Sequence, residues 1–229
     1  SIGNEENAVH TTPSGARVAE TMQTLVKKLD PTRPITYAAN FGNIFEGVNS
    51  VIEVRGWNYF IGTNTMDAYH KEHPRQPNIG TEQASTLSTR GIYANDPARG
   101  YVSAYDENKP PWGNTAEEWW KFFVARPWLS GGFVWTGFDY RGEPTPYEWP
   151  TNASLMGIMD SCGFEKVPYY IHQAQWTKDR PVVNIAFHWN WHGKEGQAVR
   201  VMVCANTEEV SLALNGKQIA RQLVDPFEM

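Results

Sequence analysis

The sequence predicts an α/β protein in which helices alternate with parallel strands, followed by part of an all-β domain. Up to residue 180, short apolar runs alternate with helical patterns, an arrangement typical of parallel βα units. After Arg180 and Pro181, strand patterns follow one another with no helix between them. We therefore predict an α/β domain over residues 1–180 and part of a β-sandwich domain over residues 181–229.

The first predicted element is a helix over residues 14–30. Ser14 is a suitable N-cap, and Asp30 precedes a proline, which ends the helix. Between them, apolar residues recur at the three- and four-residue spacing of a helix face, at Val18, Met22, Leu25, Val26 and Leu29.

Four short strands and three more helices follow in alternation. The predicted strands are residues 35–38, 51–59, 78–82 and 131–135. The predicted helices are residues 65–73, 115–126 and 168–176. The intervening segment 86–114 is long for a βα loop and rich in glycine and proline, which favours a functional loop.

The last part of the chain predicts strands at residues 182–185, 198–203 and 210–214. Asn215 and Gly216 form a dipeptide that favours a two-residue hairpin turn. We expect residues 217–219 to return from that turn as a further strand.

Composition excludes several classes of protein. The net charge is −5, from 20 basic and 25 acidic residues, so the basic surplus of a nucleic-acid binder is absent. No run approaches the roughly 18 apolar residues of a membrane-spanning helix. The 10 Trp, 10 Tyr and 10 Phe suit a sugar-binding groove, although aromatic rings are also good core material.

Two glutamates stand at predicted strand ends. Glu5 follows Gly3 and Asn4, and Glu82 follows the third predicted strand. In a (β/α) barrel, the carboxyl ends of all strands open on one face. Glycoside hydrolysis requires a pair of carboxylates at such a face, about 5 Å apart for retention of configuration. The alternative is that each glutamate is a solvated loop carboxylate.

Four segments of the chain resemble glycoside hydrolase family 2. They are residues 1–5 (Ser-Ile-Gly-Asn-Glu), 56–59 (Gly-Trp-Asn-Tyr), 79–82 (Ile-Gly-Thr-Glu) and 131–140 (Gly-Gly-Phe-Val-Trp-Thr-Gly-Phe-Asp-Tyr). Residues 141–150 resemble the β-galactosidase branch common in polysaccharide-degrading gut and marine bacteria.

The resemblance implies a larger architecture. The chain resembles the C-terminal portion of a (β/α)8 TIM barrel, from the end of the fourth strand, followed by the start of an immunoglobulin-like domain. It implies a fragment of a retaining exo-β-galactosidase. A partial barrel has open edges, so we expect residues 1–229 expressed alone to be insoluble or inactive.

The resemblance also implies a role for each site residue. Glu5 resembles the acid/base, which must be protonated at rest, and Asn4 the residue that binds the sugar 2-hydroxyl. Glu82 resembles the nucleophile, Tyr59 its hydrogen-bond donor and Trp135 the platform beneath the galactosyl ring. Further candidates for substrate contact are Asn58, Asp139, Glu143, Tyr147 and Trp149.

The sequence departs from the family pattern at Ser85, where some members carry histidine. Some members bind Mg²⁺ through earlier strands, so magnesium is an expectation for the full-length enzyme only, and we predict no metal site in this chain. β-Glucuronidases of the family use an Asn-x-Lys pair, and the one match is Asn215 with Lys217 in the predicted hairpin. That position disfavours a glucuronidase.

The expected partners are a β-galactoside oligosaccharide or polysaccharide and the remaining domains of the same enzyme. A periplasmic or secreted bacterial location fits this branch. A β-mannosidase or β-glucuronidase type of enzyme and a non-catalytic carbohydrate-binding barrel remain as alternatives.

Several other residues have a structural and a functional interpretation. His70 and His73 suggest metal ligands but favour a solvated helix surface. The dense segment 188–192 favours packing at a domain interface over a sugar or metal site. We expect Cys162 and Cys204 to be free, buried thiols, because two cysteines cannot form a disulfide framework.

Overall fold

The computed structural model describes residues 1–41, 44–186, 188 and 190–225. The chain forms two compact units: one comprises residues 1–83 and 122–134, and the other residues 84–121 and 135–229. Within the described ranges, none of the helices has the length and apolar character needed to cross a bilayer.

The first unit is built on a four-stranded sheet with neighbouring strands in chain order. The strands are β1 (Thr36–Ala39), β2 (Val54–Asn58), β3 (Asn78–Ala84) and β4 (Leu129–Trp135), the last residue of β3 and of β4 belonging to the second unit. β1 and β2 pair in parallel, as do β2 and β3, which confirms the predicted parallel arrangement.

Residues 2–5 extend this sheet beyond β1. Asn4 forms a parallel bridge with Ala38, and the Glu5 amide donates to the Ala38 carbonyl oxygen at 3.0 Å. The end of this segment therefore lies beside the carboxyl ends of β1 and its neighbours.

Helix α1 (Pro13–Leu29) matches the predicted helix, but its N-cap is Thr12 and not Ser14. The Thr12 hydroxyl accepts from the Gly15 amide at 3.0 Å, and Pro13 takes the first helical position, where a missing N–H costs nothing. Small residues on the buried face let the helix pack closely. A Cβ on Gly15 would lie 2.0 Å from the Val9 carbonyl oxygen. The five apolar residues used to predict it are all exposed, from Val26 at 38% to Leu29 at 81%.

Helix α2 (Thr65–Glu72) buries Met66 and Tyr69 completely or nearly so. His70 stacks on Trp128 with ring centroids 4.2 Å apart, and His73 stacks on Phe45 at 4.4 Å. Both histidines stay partly exposed, but each ring packs against an aromatic side chain, so they lie at the surface without the full solvation that was predicted.

The second unit contains a short hairpin that the sequence did not predict. β5 (Tyr140–Arg141) pairs antiparallel with β6 (Ala153–Ser154). Each strand has two residues, too few for a hydrophobic period to show in the sequence.

Helices α3 (Ala116–Val124) and α4 (Val167–Trp176) were both predicted. Asp106 caps α3 by accepting from the amides of Ala116 at 2.8 Å and Glu117 at 2.9 Å. The main core of the second unit combines α4 with a strand pair, β7 (Val183–Ala186) and β8 (Met202–Ala205). Its buried residues include Ala116, Ile171, Ala174, Val182, Met202 and Cys204.

β9 (Glu209–Leu214) and β10 (Lys217–Leu223) form the predicted hairpin. Asn215 and Gly216 have φ of 50° and 79°, the positive values that a type I′ turn requires. β8 begins at Met202, later than the predicted start at residue 198. The immunoglobulin-like assignment and the boundary after residue 180 remain predictions.

Two smaller predictions concern this unit. Cys162 and Cys204 are both free, but Cys162 is exposed, so burial was wrongly predicted for it. His188 stacks on Trp191 at 4.4 Å, and both rings contact Tyr93. Trp189, in the middle of that segment, lies outside the described residues.

Candidate active site

Asn58 is the centre of the polar cluster in the first unit. It ends β2 and is 1% exposed. Its Nδ2 donates to Oε1 of Glu5 at 2.7 Å and to Oδ1 of Asn4 at 3.1 Å. Asn58 also lies opposite Glu82 in the pairing of β2 with β3. One residue thus holds Glu5 by a hydrogen bond and stands beside Glu82, the second carboxylate that the sequence nominated.

Thr81 orients this amide. Its hydroxyl donates to Oδ1 of Asn58 at 2.6 Å, which leaves Nδ2 of Asn58 facing the acidic side chains. Sequence reasoning missed Thr81, although it directly precedes Glu82 in a strand and was therefore a visible polar candidate.

Tyr59 holds Glu82 in two ways. Its hydroxyl donates to Oε2 of Glu82 at 3.2 Å, and its backbone amide donates to the Glu82 carbonyl oxygen at 2.8 Å. The pairing of β2 with β3 shifts register between Trp57 and Asn58, so Asn58 lies opposite Glu82. This irregularity re-aims the strand end, as bulges often do beside functional sites.

The backbone at this edge is strained. Glu5, Tyr59 and Phe60 have φ of 56°, 72° and 69°, a region that residues with a Cβ seldom adopt. Each such residue costs about 1–3 kcal/mol, and such residues cluster at functional sites. The strain therefore supports this edge as the functional one.

Close backbone packing supports the same edge. A Cβ on Gly56 would lie 2.3 Å from the Tyr37 carbonyl oxygen, and one on Gly80 would lie 2.7 Å from Gln83 and Phe123. Below the polar cluster, the fully buried Trp57 indole donates to Oδ1 of Asn78 at 2.7 Å. The two glycines thus allow close approaches that a side chain at either position would prevent.

Electrostatics single out Glu82. Its pKa is raised above the ordinary value, first by burial and then by the negative charge of Glu5. The Tyr59 hydroxyl and the nearby amides of Asn58 and Asn4 lower the pKa of Glu82, because they stabilise the anion. The cluster therefore has the donors that an ionised carboxylate needs in a half-buried place.

The other candidates lie in the second unit. Trp135 packs against a small cluster of Leu87, Val102 and Met156, and its indole Nε1 donates to the Tyr140 hydroxyl at 3.2 Å. Glu143 accepts from that hydroxyl. Trp149 is 83% exposed, and the Tyr147 hydroxyl donates to the Tyr101 carbonyl oxygen at 2.8 Å.

Asp139 has partners that the sequence did not predict. Its Oδ1 accepts from Lys166 Nζ and from the Gly157 amide, both at 2.8 Å. The Lys166 side chain is completely buried, and Nζ also donates to the Leu155 carbonyl oxygen at 3.1 Å. Burial raises the pKa of Asp139 and lowers the pKa of Lys166.

No group of three or more potential metal ligands occurs among His, Cys, Asp and Glu in the part of the chain that is described.

Residues 1–168 match the family model of the glycosyl hydrolases family 2 TIM barrel domain. The chain belongs to glycosyl hydrolase family 2. Its resemblance to this family, seen first in four short segments, is thereby confirmed, and the parallel sheet of the first unit belongs to a TIM barrel domain.

The names of the relatives indicate different substrates. The chain is 39% identical over 211 residues to a β-galactosidase of Bacteroides ovatus, covering 84% of this chain and 24% of the relative. It is 26% identical to a β-glucuronidase of Bacteroides fragilis, covering 90% of this chain and 30% of the relative. The chain thus spans about a quarter to a third of these family members.

Solved structures give the same fold. A β-glycosidase from Bacteroides vulgatus superposes with a TM-score of 0.81 at 27% identity, covering 98% of this chain and 31% of that structure.

Proposed function

We propose that this chain is part of a retaining exo-β-galactosidase that removes terminal β-D-galactosyl residues by double displacement. The observation that carries the proposal is that Asn58, whose amide donates to Glu5, lies opposite Glu82 in the pairing of β2 with β3. The 39% identity to a β-galactosidase supports the choice of sugar.

In the first proposed step, Glu82 attacks the anomeric carbon while Glu5 protonates the departing glycosidic oxygen. A bond forms between the Glu82 carboxylate and the sugar, and the bond to the aglycone breaks. In the second step, Glu5 takes a proton from water, the water oxygen bonds to the anomeric carbon, and Glu82 leaves as a carboxylate. Two inversions give net retention, which requires carboxyl groups about 5–5.5 Å apart.

The proposed substrate contacts follow the family resemblance. Asn4 binds the sugar 2-hydroxyl, Tyr59 and Asn58 stabilise the nucleophile, and Trp135 is the platform for the sugar ring. Asp139 and Trp149 stay proposed as further substrate contacts. The exposure of Trp149 supports its role, because a tryptophan with 83% of its surface in water is available to stack on a sugar.

Azide rescue in the full-length protein that contains this chain tests the two roles. Glu82→Gly should lose nearly all turnover, and azide should restore it with an inverted glycosyl azide, because the small anion fills the nucleophile's place. Glu5→Ala is the matched variant and should yield a glycosyl azide of retained configuration with an activated substrate. Full activity in Glu82→Gln, or rescue products exchanged between the two variants, would show the assignment to be wrong.

A β-glucuronidase is the second candidate, supported by the relative in B. fragilis. The one Asn-x-Lys match, Asn215 with Lys217, lies on the exposed β9–β10 hairpin, which argues against it. A panel of nitrophenyl β-galactoside, β-mannoside and β-glucuronide separates the enzymes. Binding of these sugars without hydrolysis would instead favour a carbohydrate-binding barrel.

A further inference from the structure

The indole of Trp135 has a specific hydrogen-bond partner. Its Nε1 donates to the Tyr140 hydroxyl at 3.2 Å, and the two rings meet edge to face, with centroids 5.9 Å apart and planes at 86°. The partner lies five residues further along the chain, across the turn that follows β4.

The Tyr140 hydroxyl both accepts and donates a hydrogen bond. A phenol oxygen offers one O–H donor and two lone pairs. It accepts from Trp135, and it donates to Oε2 of Glu143. Since the proton is directed to Glu143, a lone pair is turned toward the indole N–H.

The β5–β6 pair and the residues that follow it both contribute contacts to the indole. Tyr140 pairs with Ser154 between β5 and β6, and Ser154 is completely buried. Met156, two residues after β6, packs in the cluster against Trp135, and its carbonyl oxygen accepts from the Thr136 amide at 3.1 Å. This region thus supplies a polar contact through Tyr140 and an apolar contact through Met156.

We propose that Tyr140, held by Glu143 and by the pairing of β5 with β6, is a positioning residue that sets the plane of the Trp135 indole for the sugar ring. The proposal rests on the proposed function, in which Trp135 is the sugar platform. It reassigns Glu143 from a direct substrate contact to a residue that acts through Tyr140.

A double-mutant cycle in the full-length protein tests the link. Tyr140→Phe keeps the ring and removes the hydroxyl, and we expect kcat/KM to fall about three- to tenfold, mostly through KM, for the loss of one hydrogen bond. In a Trp135→Phe background, which has no indole N–H, the same substitution should have almost no further effect. Tyr105→Phe is the matched control, since its hydroxyl donates to the Arg200 carbonyl oxygen.

Two variants test the role of Glu143. Glu143→Ala removes the acceptor and should reproduce the loss seen in Tyr140→Phe. Glu143→Gln keeps an acceptor oxygen and should lose less. An equal loss from Tyr140→Phe in the parent protein and in the Trp135→Phe background would overturn the proposal, because the hydroxyl would then act on something other than the indole.

A ¹⁹F NMR measurement, which needs no enzymatic activity, tests the same link. In protein labelled with 5-fluorotryptophan, the Trp135 resonance is identified as the one that is absent from the spectrum of Trp135→Phe. We expect Tyr140→Phe to shift that ¹⁹F resonance and Tyr105→Phe to leave it unchanged. An unmoved resonance in Tyr140→Phe would overturn the proposal, whereas a protein that hydrolyses no glycoside but shows the shift would overturn only the proposed function.

Discussion

The side-chain amide of Asn58 donates to Glu5 across 53 positions of sequence, at 2.7 Å. The pairing of β2 with β3 places the same residue opposite Glu82 on the next strand. A residue that holds Glu5 and pairs with Glu82 ties the geometry of one carboxylate to that of the other. We therefore expect the proposed site to be sensitive to substitution of Asn58.

We predict that Asn58→Ala lowers kcat/KM about tenfold to a hundredfold, the range for losing hydrogen bonds to charged groups. Thr81→Val removes the hydroxyl that orients the amide while leaving the amide in place, so its loss should be smaller. Steady-state kinetics of the full-length protein on an aryl β-galactoside measure both. A larger loss in Thr81→Val than in Asn58→Ala would contradict the proposal that Thr81 acts by orienting the Asn58 amide.

Tyr59→Phe should change the pH dependence of activity. The pKa of Glu82 is already raised by burial and by Glu5, and the Tyr59 hydroxyl opposes that rise. Since the nucleophile must be ionised, loss of the donor should move the acid limb of kcat/KM to higher pH and reduce activity most at low pH. The pH profile checks this, with Tyr105→Phe as control; an acid limb that moves to lower pH would contradict it.

Breaking the buried pair of Lys166 and Asp139 should destabilise the second unit strongly. Lys166→Met leaves the Asp139 carboxylate buried without its charged partner, which costs about 3–5 kcal/mol. The double variant Lys166→Met with Asp139→Asn should recover much of that loss, because no net charge remains buried. Denaturant unfolding measures the two free energies, and additive losses would contradict a coupled pair.

His172 should make the second unit sensitive to acid. It is 2% exposed, stacks on Trp176 at 4.8 Å and meets Trp119 edge to face. Neither ring nitrogen has a hydrogen-bond partner among the described residues. Burial lowers the pKa of His172 from 6.5 to about 4.

Because the unfolded chain binds this proton first, the free energy of unfolding should fall as pH drops from 6.5 to about 4, by up to about 3 kcal/mol. His172→Phe keeps a ring in the space and should flatten that slope. Unfolding free energies measured across this pH range test it, with the exposed His192→Gln as control. A slope equal to that of the parent protein would count against His172 as the cause.

Local signals in the sequence predicted most of the elements. α2 ends before Pro74, and Asn215 with Gly216 makes the hairpin turn, because each is decided by the backbone preferences of a few adjacent residues. The prediction was weaker where a contact with another part of the chain decides the structure. Ser14 was a plausible cap but Thr12 is the actual one, and the apolar residues that predicted α1 are exposed, so they did not identify the face that packs.

Glu5 and Glu82 could be nominated from the sequence because each follows a short strand with glycine, in an order that resembles the family. The residues around them could not. Thr81, Tyr140 and Lys166 are ordinary polar residues, and only their partners make them important.

The sequence by itself determined the alternation of helices and strands and the family, and it nominated the two acidic residues, since these follow from local periodicity and short motifs. The tertiary structure decided that Asn58 holds Glu5 and lies opposite Glu82, that Asp139 pairs with Lys166 and that Trp135 donates to Tyr140. The position of Asn58 follows from the register of neighbouring strands, and the contact of Lys166 joins residues 27 positions apart. Tyr140 follows Trp135 closely in sequence, but its place is fixed by the pairing of β5 with β6. The reason is the same in each case: a side-chain hydrogen bond depends on where the folded backbone places its two partners, and no local pattern encodes that.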